Sequence, residues 1–173
     1  MTDIFKDDYN NTNGFMTSIW GPPLWMILHI ISFNYPIKPT IEDKNNYYNY
    51  ILSLKNILPC KYCRDNFLNN LKKINFTKKS MISRESFSYV IYQLHKEVNN
   101  MLGKKCNLTY NQVRNMYENF RARCITKDTK TKFEKGCKKS LYGIKSKCQI
   151  NIVPKKNNSK SLKIDKTCIL KLK

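Results

Sequence analysis

The chain has only five glycines, at positions 14, 21, 103, 136 and 143, and their spacing forms no G-x-G-x-x-G turn. A dinucleotide bound by this protein would be held without a Rossmann unit. No run of roughly 18 apolar residues occurs, which argues against a transmembrane helix. Residues 1–17 carry Asp3, Asp7 and Asp8 and no apolar h-region, so a cleaved signal peptide is not expected and the cytoplasm is the expected location. Acids are also scarce, 12 against 32 Lys and Arg, for a formal net charge of +20. Such a field attracts nucleic acid, an anionic surface or a phosphate-bearing cofactor. A bland origin stands beside that reading, because Lys and Asn dominate over Arg and Ala, a bias that AT-rich coding produces unaided. Residues 125–173 hold fifteen Lys, no Arg and three acids, a net +12 of the total.

What is present suits one helical core. At 173 residues and 41% hydrophobic content the chain can bury a single core and carry an appendage. Residues 1–17 read as an N-terminal segment, 18–124 as a helical domain, and 125–173 as a Lys-rich extension. Thr17-Ser18 is placed to cap a first helix with Trp20, Leu24, Ile27, Leu28 and Ile31 on one face, Pro22 and Pro23 in its first turns, and Tyr35-Pro36 at its end. A second stripe, Tyr47, Ile51, Leu54 and Leu58, follows Thr40 and stops at Pro59. A third helix begins at the Cys60/Cys63 pair and runs through Phe67 and Leu68 to about Leu71. A fourth enters at Ser83 with Phe87, Ile91, Leu94, Val98 and Leu102, and Gly103 sits where a C′ residue belongs. The fifth carries Val113, Met116, Tyr117 and Phe120 after Thr109. No segment before Cys124 sustains a period of two, so an all-α bundle is expected. Beyond it, Gln149-Ile150-Asn151-Ile152-Val153 is β-prone and residues 155–161 are polar.

Cys60-Lys61-Tyr62-Cys63 carries the chemistry. A thiol at a helix N-terminus lies at the positive end of the macrodipole, which favours its thiolate. Seven cysteines without an export signal imply metal binding or a protein that makes disulfides where they are scarce. A lone CxxC has three readings: half of a zinc site, a thioredoxin-type redox pair, or a redox pair in another fold. Zinc needs further ligands, and no second CxxC, CxxH or HxxxH occurs. Cys106 and Cys124 could complete a four-cysteine ligand set, although the seventeen residues between them contain a helical stripe and favour a bridge across the fifth helix. The thioredoxin reading needs a βαβ context, and no strand precedes Cys60. Electrons leaving the Cys pair require an acceptor, for which a flavin is economical. Trp20, Trp25, His29, His95 and Lys104 are candidates to hold one by stacking and by cationic contact with its pyrophosphate, and Arg121 and Arg123 could approach the same phosphates or simply favour a helix C-terminus.

Several ordered motifs resemble a known family. Trp20-Gly21-Pro22-Pro23-Leu24-Trp25-Met26-Ile27-Leu28-His29 is similar to the WGxxxWxxxH opening of the Erv/ALR FAD-linked sulfhydryl oxidases, and Tyr35-Pro36 to their YP. Cys60-Lys61-Tyr62-Cys63 with Asp65 and Phe67 resembles the redox-active CxxC segment, Leu94-His95-Lys96-Glu97-Val98-Asn99 the LHNxVN, and Leu102-Gly103-Lys104 the LGK. The similarity covers residues 19–124. Lys96, Lys105 and Val90 depart from it, standing where Asn, Pro and Trp are usual, and Lys96 bears on one FAD hydrogen bond.

The resemblance implies a bundle of four main helices and a short fifth, with bound FAD and a homodimer. It implies that Cys63 lies beside the flavin ring, that Cys60 is the interchange thiol, and that Trp20, Trp25, His29, His95, Asn99 and Lys104 bind the cofactor. It implies a Cys106–Cys124 structural disulfide, protein thiol or dithiol substrates (a thioredoxin-like carrier among the candidates), and O2 reduced to H2O2. Cys137 and Cys148 are candidates for a shuttle pair or for a structural staple, and Cys168 is left over. No resident metal is expected. Lys/Asn bias and the unexported character resemble members of this family in large DNA viruses, which points to host cytoplasm or virion. A zinc-stabilised, basic nucleic-acid-binding module is the competing function, and a thiol-rich scaffold protein a third.

Overall fold

The computed structural model describes residues 12–125 and 136–169, which fall into two compact units dividing between Cys106 and Asn107. The first holds α1 (Thr17–Phe33), α2 (Ile41–Ile57), α3 (Lys61–Lys73), a 3-10 turn (Lys78–Met81) and α4 (Arg84–Met101). The second holds α5 (Tyr110–Glu118), the antiparallel strands β1 (Ala122–Ile125) and β2 (Gly136–Ser140), and a 3-10 turn (Lys166–Cys168). The fold is helical, with one small sheet near the C-terminal side. α5 belongs to the second unit, whereas the sequence pattern grouped it with the helices before it.

Capping chemistry explains the boundaries. Thr40 and Asp43 close a reciprocal capping box at the start of α2, Ser83 Oγ accepts the Ser86 N–H at α4, and Thr109 and Gln112 form a box at α5. α1 starts differently: Met16 precedes it with no side-chain cap, so Thr17 and Ser18 lie inside the helix. Pro22 and Pro23 consequently fall in its second turn, where they cannot donate to the carbonyls of Ser18 and Ile19. α3 ends on Asn75, whose φ of 54° lets Phe76 N–H reach Leu71 O at 3.0 Å and Asn75 N–H reach Lys72 O at 3.0 Å.

The core of the first unit lies where α1 packs on α4 and α2 on α3, with the 3-10 turn against α2 and α4. Tyr35 and Phe87, each 0% exposed, meet edge to face at 5.1 Å, and Tyr47 packs on both. Tyr35 donates its hydroxyl to Met81 O at 2.9 Å and accepts the Arg84 Nε–H at its carbonyl. The Tyr35-Pro36 turn is thereby tied to the entry of α4. On α1 the buried residues are Leu28, His29, Ser32 and Phe33, whereas Ile27 is exposed. The buried face is thus rotated from the apolar stripe, because two polar side chains, His29 and Ser32, find hydrogen-bond partners there. Leu68 and Leu102 are likewise exposed.

In the second unit, α5 buries Val113 and Tyr117. The β-prone segment 149–153 is not a strand; pairing instead joins β1 to β2, whose register places Cys124 opposite Cys137. A strand needs a partner ladder, and local propensity does not provide one. Among the described residues no helix is long and apolar enough to cross a membrane.

Phe87→Ala removes the centre of the aromatic cluster. Urea denaturation is expected to show a loss of about 3–5 kcal/mol; a loss below about 1 kcal/mol would place the core elsewhere.

Candidate functional site

The chain reverses between α2 and α3 in three residues. Leu58 N–H closes α2 on Leu54 O at 3.0 Å, and Pro59 cannot continue the helix. Cys60 is then the N-cap of α3, with extended backbone and its sulfur accepting the Cys63 N–H at 3.2 Å. Cys60 and Cys63 form a disulfide one helical turn apart. Both are half-buried, and Cys63 packs against the hydrophobic core, as do Trp20, Leu24 and Trp25. Helix start, acceptor sulfur and core contact give the two sulfurs different surroundings.

A short segment outside the helices borders this disulfide. Gly14 pairs with Cys60 in an antiparallel bridge, Phe15 N–H donates to Pro59 O at 2.9 Å, and Lys61 N–H donates to Asn13 O at 2.7 Å. Arg64 donates to Leu58 O at 2.6 Å and to Thr12 O at 3.0 Å, and Trp20 Nε1–H donates to Phe15 O at 3.0 Å. Trp20 is thus tied to the segment bordering the CxxC. Sequence reasoning passed over Gly14 and Arg64, because neither belongs to a hydrophobic stripe or a chemical motif; Asn13-Gly14 as a turn-prone dipeptide was the only local signal.

A second group forms between α1 and α4. His29 Nε2 and His95 Nδ1 share a hydrogen bond at 3.0 Å, and Trp25 stacks on His95 with centroids 4.1 Å apart and planes 5° from parallel. Burial holds His29 down to about 3, with His95 opposing its charge further. Burial likewise holds His95 down to about 4, helped by the Lys104 charge. Both rings are therefore neutral near pH 7, and a neutral pair can share one proton across the contact. Such a set of planar, uncharged faces is suited to stacking on a flat aromatic ligand.

Lys104 reaches this group through the end of α4. Gly103 takes φ +65°, so that Gly103 N–H bonds Asn100 O at 3.0 Å and Lys104 N–H bonds Asn99 O at 2.8 Å, the paired bonds of a Schellman end. Of the expected cofactor residues, Trp25, His29, His95 and Lys104 thus form one electrostatic and stacking unit. Asn99 is half-buried one turn beyond His95.

The remaining cysteines differ from expectation. Cys124 is bonded to Cys137, and Cys106 is free and exposed, so the expected Cys106–Cys124 bridge is replaced. The reason is the β1–β2 register, which sets Cys124 and Cys137 face to face. No Cys137–Cys148 pair forms either: Cys148 is free and exposed, and Cys168 is free and half-buried. Arg121 is committed to Glu118 through two contacts of 2.6 Å, and Arg123 lies on β1 opposite Lys139. Among the described residues no group of three His, Cys, Asp or Glu side chains is gathered to hold a metal ion, which leaves the zinc alternative without a ligand set there.

The Erv1/Alr family model matches residues 22–121. The chain belongs to the Erv1/Alr family. Within it, this Erv1/Alr chain is 40% identical over 91 residues to a probable FAD-linked sulfhydryl oxidase of Acanthamoeba polyphaga mimivirus, a match covering 53% of the chain and 63% of the relative. It is 31% identical over 99 residues to an FAD-linked sulfhydryl oxidase of African swine fever virus (isolate Warthog/Namibia), covering 57% of the chain and 80% of the relative. In fold it is similar to the crystal structure of the yeast Erv1 core, with a TM-score of 0.53 and 20% identity over 68% of this chain and 96% of that one.

Two outcomes follow from this geometry in the Erv1/Alr chain. Gly103→Ala meets no atom within 4 Å at its Cβ, so its cost is that of the left-handed backbone, about 1–2 kcal/mol in urea denaturation; a neutral change would mean the Schellman end is dispensable. The unfolded chain protonates histidine near 6.5, whereas the folded His29 and His95 stay neutral to about 3 and about 4. Between about 6.5 and 4 the unfolded state therefore binds more protons, and stability falls as pH drops through that window. Thermal melts from pH 7 to 4.5 are expected to show this fall, with a shallower one in His95→Gln; equal slopes would contradict the buried neutral pair.

Proposed function

We propose that the chain is an FAD-dependent thiol oxidase that forms disulfides in protein substrates. The observation that carries the reading is the Cys60–Cys63 disulfide at the start of α3, with Cys63 turned to the core that also carries Trp25. Membership of the Erv1/Alr family and the names of the mimivirus and swine fever virus relatives support the same reading.

The residues present fit the cofactor. Trp25 and neutral His95 offer stacked planes, and His29 holds the His95 ring by a hydrogen bond. Lys104, whose charge acts on His95, supplies a cation for a pyrophosphate, with Trp20 and Asn99 completing the proposed set. FAD, when bound, supplies a two-electron acceptor that can pass the pair to O2, giving H2O2.

The chain's own part is thiol–disulfide exchange. A substrate thiolate attacks Cys60 Sγ, an S–S bond forms between them, the Cys60–Cys63 bond breaks, and Cys63 leaves as thiolate. A second substrate thiolate then attacks the substrate sulfur of that mixed disulfide, and Cys60 leaves as thiolate. The substrate gains a disulfide, its two protons go to solvent, and two electrons rest on the Cys60/Cys63 dithiol. The Cys63 N–H and the positive end of α3 stabilise Cys60 as leaving group.

A homodimer is the proposed assembly, supported by the exposure of Ile27 and Ile30 on α1. Protein dithiols, including a thioredoxin-like carrier, are the proposed substrates, and host cytoplasm or virion the proposed location, supported by the viral relatives. A relay through Cys137, by opening of its disulfide with Cys124, also belongs to the proposal. It is supported by the exposure of that disulfide.

Purified protein is expected to be yellow, with flavin absorbance that persists in Cys63→Ser while thiol oxidation is lost. Colourless protein that takes up no added FAD, or undiminished oxidation by Cys63→Ser, would overturn the assignment.

A further inference from the structure

The border of the redox disulfide is built from main chain in a way the exchange reaction does not require. Lys61 N–H and Pro59 C=O flank Cys60 on one edge, and residues 13–15 occupy both groups as an antiparallel partner. These are the groups to which an extended peptide would add as a strand, the usual means by which an exposed edge recognises a peptide. The occupying segment is held by its backbone: Phe15 is 77% and Met16 71% exposed. Gly14 makes the close approach possible. Its φ is +112°, and a Cβ there would stand 2.4 Å from Pro59 O and 2.9 Å from Cys60 Cα, so other residues are excluded both by conformation and by space. Arg64 clamps the arrangement from α3, joining Leu58 O to Thr12 O through one guanidinium.

We propose that residues 12–15 form a specificity-determining strap: they fill the strand edge beside Cys60, so that substrates reach its sulfur through a projecting cysteine and not by pairing an extended backbone along the loop. Gly14 and Arg64 hold the strap in place. The inference rests on Cys60 being the sulfur that substrates attack. It concerns which thiols arrive there, and the chemistry of exchange is unchanged by it.

The test uses the full flavin-loaded chain and measures opening of the Cys60–Cys63 disulfide by two monothiols, an extended cysteine-containing peptide and 2-mercaptoethanol. The reaction is quenched with acid, alkylated, and read from the mass of the fragment spanning residues 60–63, so it needs no oxygen turnover. Gly14→Val and Arg64→Gln are each expected to raise the peptide-to-mercaptoethanol rate ratio at least about fivefold, the equilibrium value of one main-chain hydrogen bond at its usual net worth. The Lys61 amide is expected to lose hydrogen-exchange protection in parallel. A ratio unchanged despite an exposed Lys61 amide would overturn the proposal, as would an equal fall in both rates, which would make the strap a support for the loop alone. Should Gly14→Val fail to fold, Arg64→Gln decides the matter. Failure of the oxidase assignment would show separately, as wild-type protein whose disulfide opens but which consumes no oxygen with thiols.

Discussion

The turn from α2 to α3 governs the site. Only Leu58, Pro59 and Cys60 separate the two helices, and in that space the chain must end one set of carbonyls and begin another set of N–H groups. Pro59 stops the first helix, and Cys60 caps the second with sulfur in the place usually taken by a hydroxyl or carboxylate. The sulfur is therefore drawn to the end of a helix dipole by the same bond that starts the helix. Cys63, one turn on, has no choice but the inner face, because Phe67 and Leu71 below it are buried in the core. Asymmetry between the two sulfurs is a consequence of helix geometry.

Burial of His29 and partial burial of His95 between α1 and α4 form the second constraint. Neither can carry a proton near neutral pH without losing solvation, so they satisfy one another across the helix contact and present flat, neutral rings. The positive charge that acts on His95 comes instead from Lys104, which follows the left-handed turn at Gly103. Stacking surface and cation are thus supplied by separate residues, Trp25 and His95 half-buried and Lys104 exposed, which suits a ligand with a planar end and an anionic end.

Much of this was legible in the chain. Helices α2, α4 and α5 announce themselves because Thr40, Ser83 and Thr109 cap them and apolar stripes run at helical spacing behind the caps. The CxxC, Trp25, His29, His95 and the Gly103-Lys104 pair are visible as motifs, since each depends on residues adjacent in sequence or one turn apart. The face of α1 was less legible: hydrophobic periodicity counts Ile27 and passes over His29 and Ser32, yet a polar group can be buried when it has a hydrogen-bond partner. The cysteine pairing beyond the bundle was not legible, because it follows a strand register, and the β-prone residues 149–153 drew attention away from the strands that do pair, 122–125 and 136–140.

By itself the sequence determined the helical class, the position of the Cys60/Cys63 pair at a helix start, and the family, because caps, stripes and short motifs are local and their physics is carried by neighbours. Only the tertiary structure decided that His29 meets His95 from 66 residues away, that Cys124 takes Cys137 as partner, and that residues 13–15 lie against Cys60. Each of those contacts joins segments whose local preferences are indifferent to the meeting. What selects them is the packing of helices already formed and the need of main-chain donors and acceptors at the Pro59–Lys61 turn for partners.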